Sequence, residues 1–145
     1  MPPSVQLDFV TRRIDLLAER SSGKEFERFQ KYQEHPVRYA SDILGIQWWS
    51  QQIEIAEAVR DMRRVVVYAG HAVGKTHMLG GLVQWHFDCF RPSITLTTAP
   101  SWPSIHDLLW GEVKAQRRIG APGRMLDMEL RGMSMHYAKG HNAQT

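Results

Sequence analysis

From Ala69 to Thr76 the chain reads Ala-Gly-His-Ala-Val-Gly-Lys-Thr, residue types and a spacing suited to one kind of chemistry, the binding of phosphate groups. A short loop that curls just ahead of a helix can turn successive backbone N–H groups inward, and the helix N-terminus adds partial positive charge. Gly70 can take the positive φ of the turn, His71, Ala72 and Val73 lend backbone to the cradle, and Gly74 admits a close approach. Lys75 brings a compact charge to the β- and γ-phosphates of a nucleotide, and Thr76 offers a hydroxyl to Mg²⁺. ATP and Mg²⁺ are the expected cofactors, and Lys75 is the candidate catalytic residue. The strict pattern opens on glycine where this chain has Ala69, with Gly70 following at once.

Two flanking groups could complete such a site. Gln52, near the start of the preceding helix, carries an amide that offers both a donor and an acceptor to an adenine edge; its plainer reading is a solvent-facing helix residue. Thr97-Thr98-Ala99-Pro100-Ser101 follows the next expected strand, where ligands of open α/β sheets bind, but it reads equally well as a polar turn capping the helix beyond. Other chemistries find no support. His86 and Cys89 are too few ligands for a metal, Met125, Met128, Met133 and Met135 read as packing, and no Ser-His-Asp order or carboxylate pair is present.

The elements that must position the loop follow from hydrophobic period. Residues 65–68, Val-Val-Val-Tyr, form a β-branched run that predicts a strand buried on both faces. From Lys75 a helical period carries Leu79, Leu82, Val83, His86, Phe87 and Phe90 to one side until Pro92. Residues 94–98 predict a second strand, and Ile105, Leu108, Leu109 and Val113 a further helix. Strand, helix and strand in this order predict a parallel, right-handed crossover, hence an α/β sheet covered by helices. Upstream, Leu7, Val10, Ile14 and Leu17, then Phe26, Phe29 and Tyr32, predict a helical N-terminal appendage that breaks near His35-Pro36, and residues 50–62 a helix capped by Ser50. The glycine-rich tail beyond Gly120 leaves only residues 133–138 for another short strand, so the sheet is expected to be incomplete.

Composition sets the outer limits. With 145 residues, 43% hydrophobic and 23% charged, the chain has core material for one domain, and no apolar run reaches membrane-spanning length. Its single cysteine cannot form an internal disulfide, which fits a reducing interior. A net charge of +3 allows a polyanionic partner without requiring one, and Arg12-Arg13, Arg63-Arg64 and Arg117-Arg118 read as solvated helix faces or ends.

Taken together, residues 35–45 (His-Pro-Val-Arg-Tyr-Ala-Ser-Asp-Ile-Leu-Gly), 48–55 (Trp-Trp-Ser-Gln-Gln-Ile-Glu-Ile), 65–76, 96–105 (Leu-Thr-Thr-Ala-Pro-Ser-Trp-Pro-Ser-Ile) and 109–113 (Leu-Trp-Gly-Glu-Val) resemble the large terminase subunit of tailed bacteriophages, the ATPase motor that packages DNA into proheads. The resemblance runs from about His35 to about Arg131. It implies a RecA-like P-loop NTPase core similar to that of superfamily two helicases, with Gln52 as the adenine-contacting glutamine. It also implies double-stranded DNA, a portal protein and a small terminase subunit as partners, a homo-oligomeric ring at full length, and the cytoplasm of a bacterial host or prophage carrier. The chain departs from the pattern at His71, where many terminases carry arginine, and downstream, where no apolar strand ends in Asp-Glu. The expected organisation is therefore a helical appendage over residues 1–45 and the front of a P-loop ATPase domain over residues 46–145, truncated before Walker B and the nuclease domain. Without the catalytic glutamate this chain alone is expected to be nearly inactive. The alternatives are a fragment of a superfamily two helicase or translocase, and a non-catalytic nucleotide-binding remnant.

Overall fold

The computed structural model describes residues 23–71, 73–90, 93–120, 128–131 and 134–137, and over these the chain is built mainly from helices. Helix α1 (Gly23–Gln30) leads through a turn to α2 (Pro36–Tyr39). Pro36 opens α2 because the N–H it lacks has no helical acceptor at that position anyway. A π-helical turn, Ala40–Leu44, continues α2 and stops at Gly45, whose φ of 70° is the left-handed conformation that ends helices. Helices α3 (Ser50–Asp61) and α4 (Lys75–Cys89) follow. A second π-helical stretch, Ser104–Leu109, then runs into α5 (Trp110–Ile119). Strands β1 (Met128–Arg131) and β2 (Ser134–Tyr137) close as an antiparallel hairpin, Met128 opposite Tyr137 and Arg131 opposite Ser134. Among the described residues no helix is long and apolar enough to cross a membrane.

Helix α4 is the axis of the packing: α1, α2, α3 and α5 all lie against it. The core joins Phe29, Tyr32, Tyr39, Leu44 and Trp48 to Met78, Leu82 and Trp85, so residues on both sides of the boundary expected at 45 share one apolar interior. Burying a side chain such as Leu82 contributes about 1.5–3 kcal/mol. The glycine pair at the middle of α4 sets the approach distances. A Cβ on Gly81 would stand 2.7 Å from Trp48 Cζ2, and one on Gly80 would stand 3.2 Å from Gln116 Oε1 of α5. This explains why the buried surface of α4 is wider than the predicted stripe: Gly80, Gly81, Gln84, Asp88 and Cys89 are buried, whereas Leu79 is 47% exposed.

The polar centre of the bundle is Asp88, wholly buried, which accepts a hydrogen bond from the Tyr39 hydroxyl at 2.5 Å. Arg117 of α5 grips the same carboxylate with its two terminal guanidinium nitrogens, Nη1 and Nη2 donating at 2.8 and 2.9 Å. Arg117 is thus no solvated helix-end charge, although its neighbour Arg118 is exposed. Burial pushes the Tyr39 hydroxyl well above its ordinary pKa, and the Asp88 charge pushes the same way. For Arg117, burial alone would favour loss of the proton, but the hydrogen bonds and charge of Asp88 outweigh it and hold the guanidinium charged.

The structure corrects the expected fold class. Among the described residues there is no parallel sheet, and so no RecA-like P-loop NTPase core. Segments 65–68 and 94–98 form no strand, with Val66 95%, Tyr68 104% and Leu96 90% exposed. A β-branched run sets an extended local conformation, but a strand also needs a lateral partner, which local pattern does not supply. The pairing that forms instead is the hairpin, whose partners are close in sequence and need no crossover. Strand β2 lies within the short segment, 133–138, expected as a strand in the tail. The Leu7–Leu17 stripe falls outside the described residues.

Candidate phosphate-binding loop

Helix α4 begins where it does because Gly74 sits at φ 78°, ψ 20°, a conformation that L side chains rarely adopt. Its first helical bond runs from the Met78 N–H to the Gly74 carbonyl at 3.0 Å. The N–H groups of Lys75, Thr76 and His77 therefore have no helical acceptor and leave a positive pole at the end of the loop. Gly70 does not take the positive φ expected of it; among the described glycines only Gly45 and Gly74 do.

The Lys75 ammonium folds back over the loop and donates to the Ala69 carbonyl at 3.1 Å and to the Gly70 carbonyl. These two peptide groups thus present oxygen, not N–H, to the interior of the loop, and the lysine charge compensates them. An incoming phosphate would compete with both carbonyls for the ammonium. His71 is exposed, Val73 is 36% exposed, and Ala72 lies outside the described residues. Thr76, in the first turn of α4, is half-buried.

Gln52 is brought to the loop, but in a particular way. It is 7% exposed, its Nε2 donates to the Gly74 carbonyl at 3.2 Å, and its Oε1 accepts the Trp49 N–H at 3.3 Å. The second of these caps α3, whose N-cap is Trp49 and not the expected Ser50. The reciprocal half of a capping box is missing because an indole has no acceptor. In the segment 97–101, Ser101 Oγ accepts the Ser104 N–H at 3.4 Å and pairs with Ser104 Oγ at 2.7 Å at the start of the next helical stretch.

A polar cluster the sequence reading missed lies one residue beyond Thr76. His77 Nδ1 meets Glu112 Oε1 at 2.6 Å. Gln116 Nε2 donates to the His77 carbonyl at 2.7 Å and to Glu112 Oε1 at 3.1 Å. Gln84 Nε2 donates in turn to Gln116 Oε1 at 2.8 Å, and Gln84 Oε1 is buried without a partner among the described residues. Glu112 and Gln116 are four apart on α5 and so share a face, which was the available signal. Residue 77 could be matched to that face only once α5 was known to pack on α4.

Thr76, half-buried in the first turn of α4, is the residue expected to offer an oxygen to Mg²⁺. Among the described residues no three His, Cys, Asp or Glu side chains gather to hold a metal. Mg²⁺ in nucleotide sites is held by few protein groups and takes its remaining oxygens from phosphates and water. Just ahead of the loop, Arg63 and Arg64 line an open cavity of about 590 Å³. No family model, curated protein or solved structure matches the chain.

Proposed function

We propose that the loop from Ala69 to Thr76 binds the phosphates of ATP with Mg²⁺. The observation that carries this reading is the Lys75 ammonium held over a loop that ends at left-handed Gly74 and opens onto the free N–H groups of α4. Lys75 would exchange its carbonyl partners for the β- and γ-phosphates, and the N–H groups of Lys75, Thr76 and His77 would donate to phosphate oxygens. Thr76 would hold Mg²⁺, which supplies charge neutralisation across the β- and γ-phosphates. The backbone of Gly70, His71, Ala72 and Val73 would close the loop around them.

The wider role proposed rests on the resemblance of residues 35–131 to the terminase large subunit: the chain is the nucleotide-binding part of a motor that moves double-stranded DNA into a prohead. Its partners would be the portal protein and the small terminase subunit, and its place the cytoplasm of a bacterial host. Exposed Arg63 and Arg64 beside the loop are compatible with a polyanionic partner. Turnover by this chain would be slow, because hydrolysis needs a positioned water as well as a phosphate cradle, and among the described residues no acidic residue follows an apolar strand. A second reading, a nucleotide-binding remnant without a motor's activity, is favoured by the absence of a parallel sheet among the described residues.

Calorimetry with Mg-ATP and a turnover assay, each repeated on Lys75→Ala, test the proposal. Weak binding lost on substitution, with little turnover in either protein, supports it. Binding that Lys75→Ala leaves intact places the nucleotide elsewhere and refutes it.

A further inference from the structure

We infer that Gln52 is the strut of the phosphate loop and does not read the base, so that the site accepts nucleoside triphosphates, and bare tripolyphosphate, nearly alike. The inference rests on the phosphate-binding reading above and assigns its ligand class more narrowly.

Reading an adenine edge requires the donor and the acceptor of the amide together. In this structure Nε2 donates to the Gly74 carbonyl and Oε1 accepts the Trp49 N–H, and the side chain is 93% covered, being 7% exposed, so the remaining hydrogen and lone pair are not jointly open to a base edge. Turning the amide outward would leave the Trp49 N–H at the start of α3 without its side-chain acceptor and would uncouple Gly74 from α3. The packing tells the same story. A Cβ on residue 74 would stand 2.7 Å from Gln52 Nε2, so the glutamine amide occupies the space that any side chain there would need.

Gln52 therefore wedges the first turn of α3 against the glycine that starts α4. It ties two backbone groups, Trp49 N–H and Gly74 C=O, that lie 25 positions apart in the sequence. What this holds in place is the peptide between Gly74 and Lys75, whose orientation decides where the first free N–H of α4 points. A residue acting through that peptide affects every ligand bound by its phosphates to the same degree, whatever base they carry. A base-reading residue affects only the ligand with the matching base.

The test is calorimetry on the full 145-residue chain with Mg-ATP, Mg-GTP and Mg-tripolyphosphate. Wild type, Gln52→Met and Gln52→Glu are compared, with the urea midpoint of each variant as the control for folding. Gln52→Met keeps the length and removes both hydrogen bonds; Gln52→Glu keeps the acceptor for Trp49 and removes the donor to Gly74. The expected result is that wild type binds the three ligands within about threefold of one another, that Gln52→Met weakens all three by a common factor of about five to ten, as the lost hydrogen bond to Gly74 predicts, and that Gln52→Glu, which also sets a negative charge beside the phosphates, weakens all three alike and at least as much. A wild-type preference of more than about tenfold for ATP over GTP and tripolyphosphate, or a loss confined to ATP in the variants, overturns the inference. The wild-type comparison needs no variant to fold. Loss of the phosphate-binding reading looks different: none of the three ligands binds wild type, or Lys75→Ala leaves all three unchanged.

Discussion

At its C-terminal end α4 carries Asp88, wholly buried and held at 2.5 Å by Tyr39 and at 2.8 and 2.9 Å by Arg117; at its N-terminal end it carries Lys75, which is partly exposed and bonded to the carbonyls of its own loop. The first charge is neutralised by a partner brought from α5, far away in sequence, and to break that pairing strands an ion in a dry interior. The second is matched only by local peptide dipoles and solvent, so it can be redirected to a ligand without disturbing the core. One helix thus serves both needs by separating them along its length. Stability is concentrated where the surroundings are closed, and the binding proposed for this chain where the backbone N–H groups are left open.

The largest effect expected from this contrast is at the closed end. Arg117→Met should cost about 3–5 kcal/mol in urea unfolding, because it leaves the Asp88 carboxylate buried and unpaired. The double variant Arg117→Met with Asp88→Leu should recover part of that loss, since the stranded charge is then gone. A single variant as stable as wild type would show that Asp88 reaches solvent and that the two ends are less different than drawn.

At the middle of the helix, Gly81→Ala should cost about 1–3 kcal/mol by driving a methyl into the Trp48 ring. Gly80→Ala should cost less, because its neighbours, the Gln116 amide and the Glu112 Cγ, stand at 3.2–3.3 Å and belong to flexible side chains. Equal costs would contradict the close contact of Trp48 with α4.

A smaller effect is expected with pH. His86, near the closed end, bonds to Thr95 Oγ1 at 2.7 Å and stacks on Phe90 at 5.1 Å. Burial lowers its pKa, so the folded protein resists protonation that the unfolded chain accepts. The associated stability is complete above the unfolded value of about 6.5 and is lost as pH falls through the folded value. Urea midpoints at about pH 7.5 and pH 5.5, either side of that unfolded value, should differ less in His86→Phe than in wild type. An unchanged difference would rule out His86 as the source. The smallest stability change belongs to the open end, where Lys75→Ala should stay within about 0.5 kcal/mol of wild type.

These two ends were not equally legible in the sequence. The loop could be read because its information is local: Gly74-Lys75-Thr76 ahead of an apolar helical stripe specifies a turn and a helix start within a few residues, and the structure begins α4 at Lys75. Residues 50–62 were likewise recognisable as a helix, observed as Ser50–Asp61. The Asp88–Arg117–Tyr39 centre was not legible, because a charged residue near a helix end carries the same local pattern whether solvent or another helix covers it. The Val65–Tyr68 and Ile94–Thr98 segments failed for a related reason. Their β-branched residues favour extended backbone, but pairing depends on a partner that no local pattern specifies. Gln52 could be singled out from its place ahead of the loop, yet its bonds to Gly74 and Trp49 depend on how α3 meets α4.

The central claim, that the open end of α4 is a phosphate site, is tested most directly by following the backbone amide signals of the labelled protein by NMR as Mg-ATP is added. The account predicts that the largest saturable shifts fall on the N–H groups of Gly74, Lys75, Thr76 and His77, and that Lys75→Ala removes them while the signals of Asp88 and Arg117 stay in place. Shifts centred on Arg63 and Arg64 with the α4 amides unmoved, or no saturable shift at all, would contradict it.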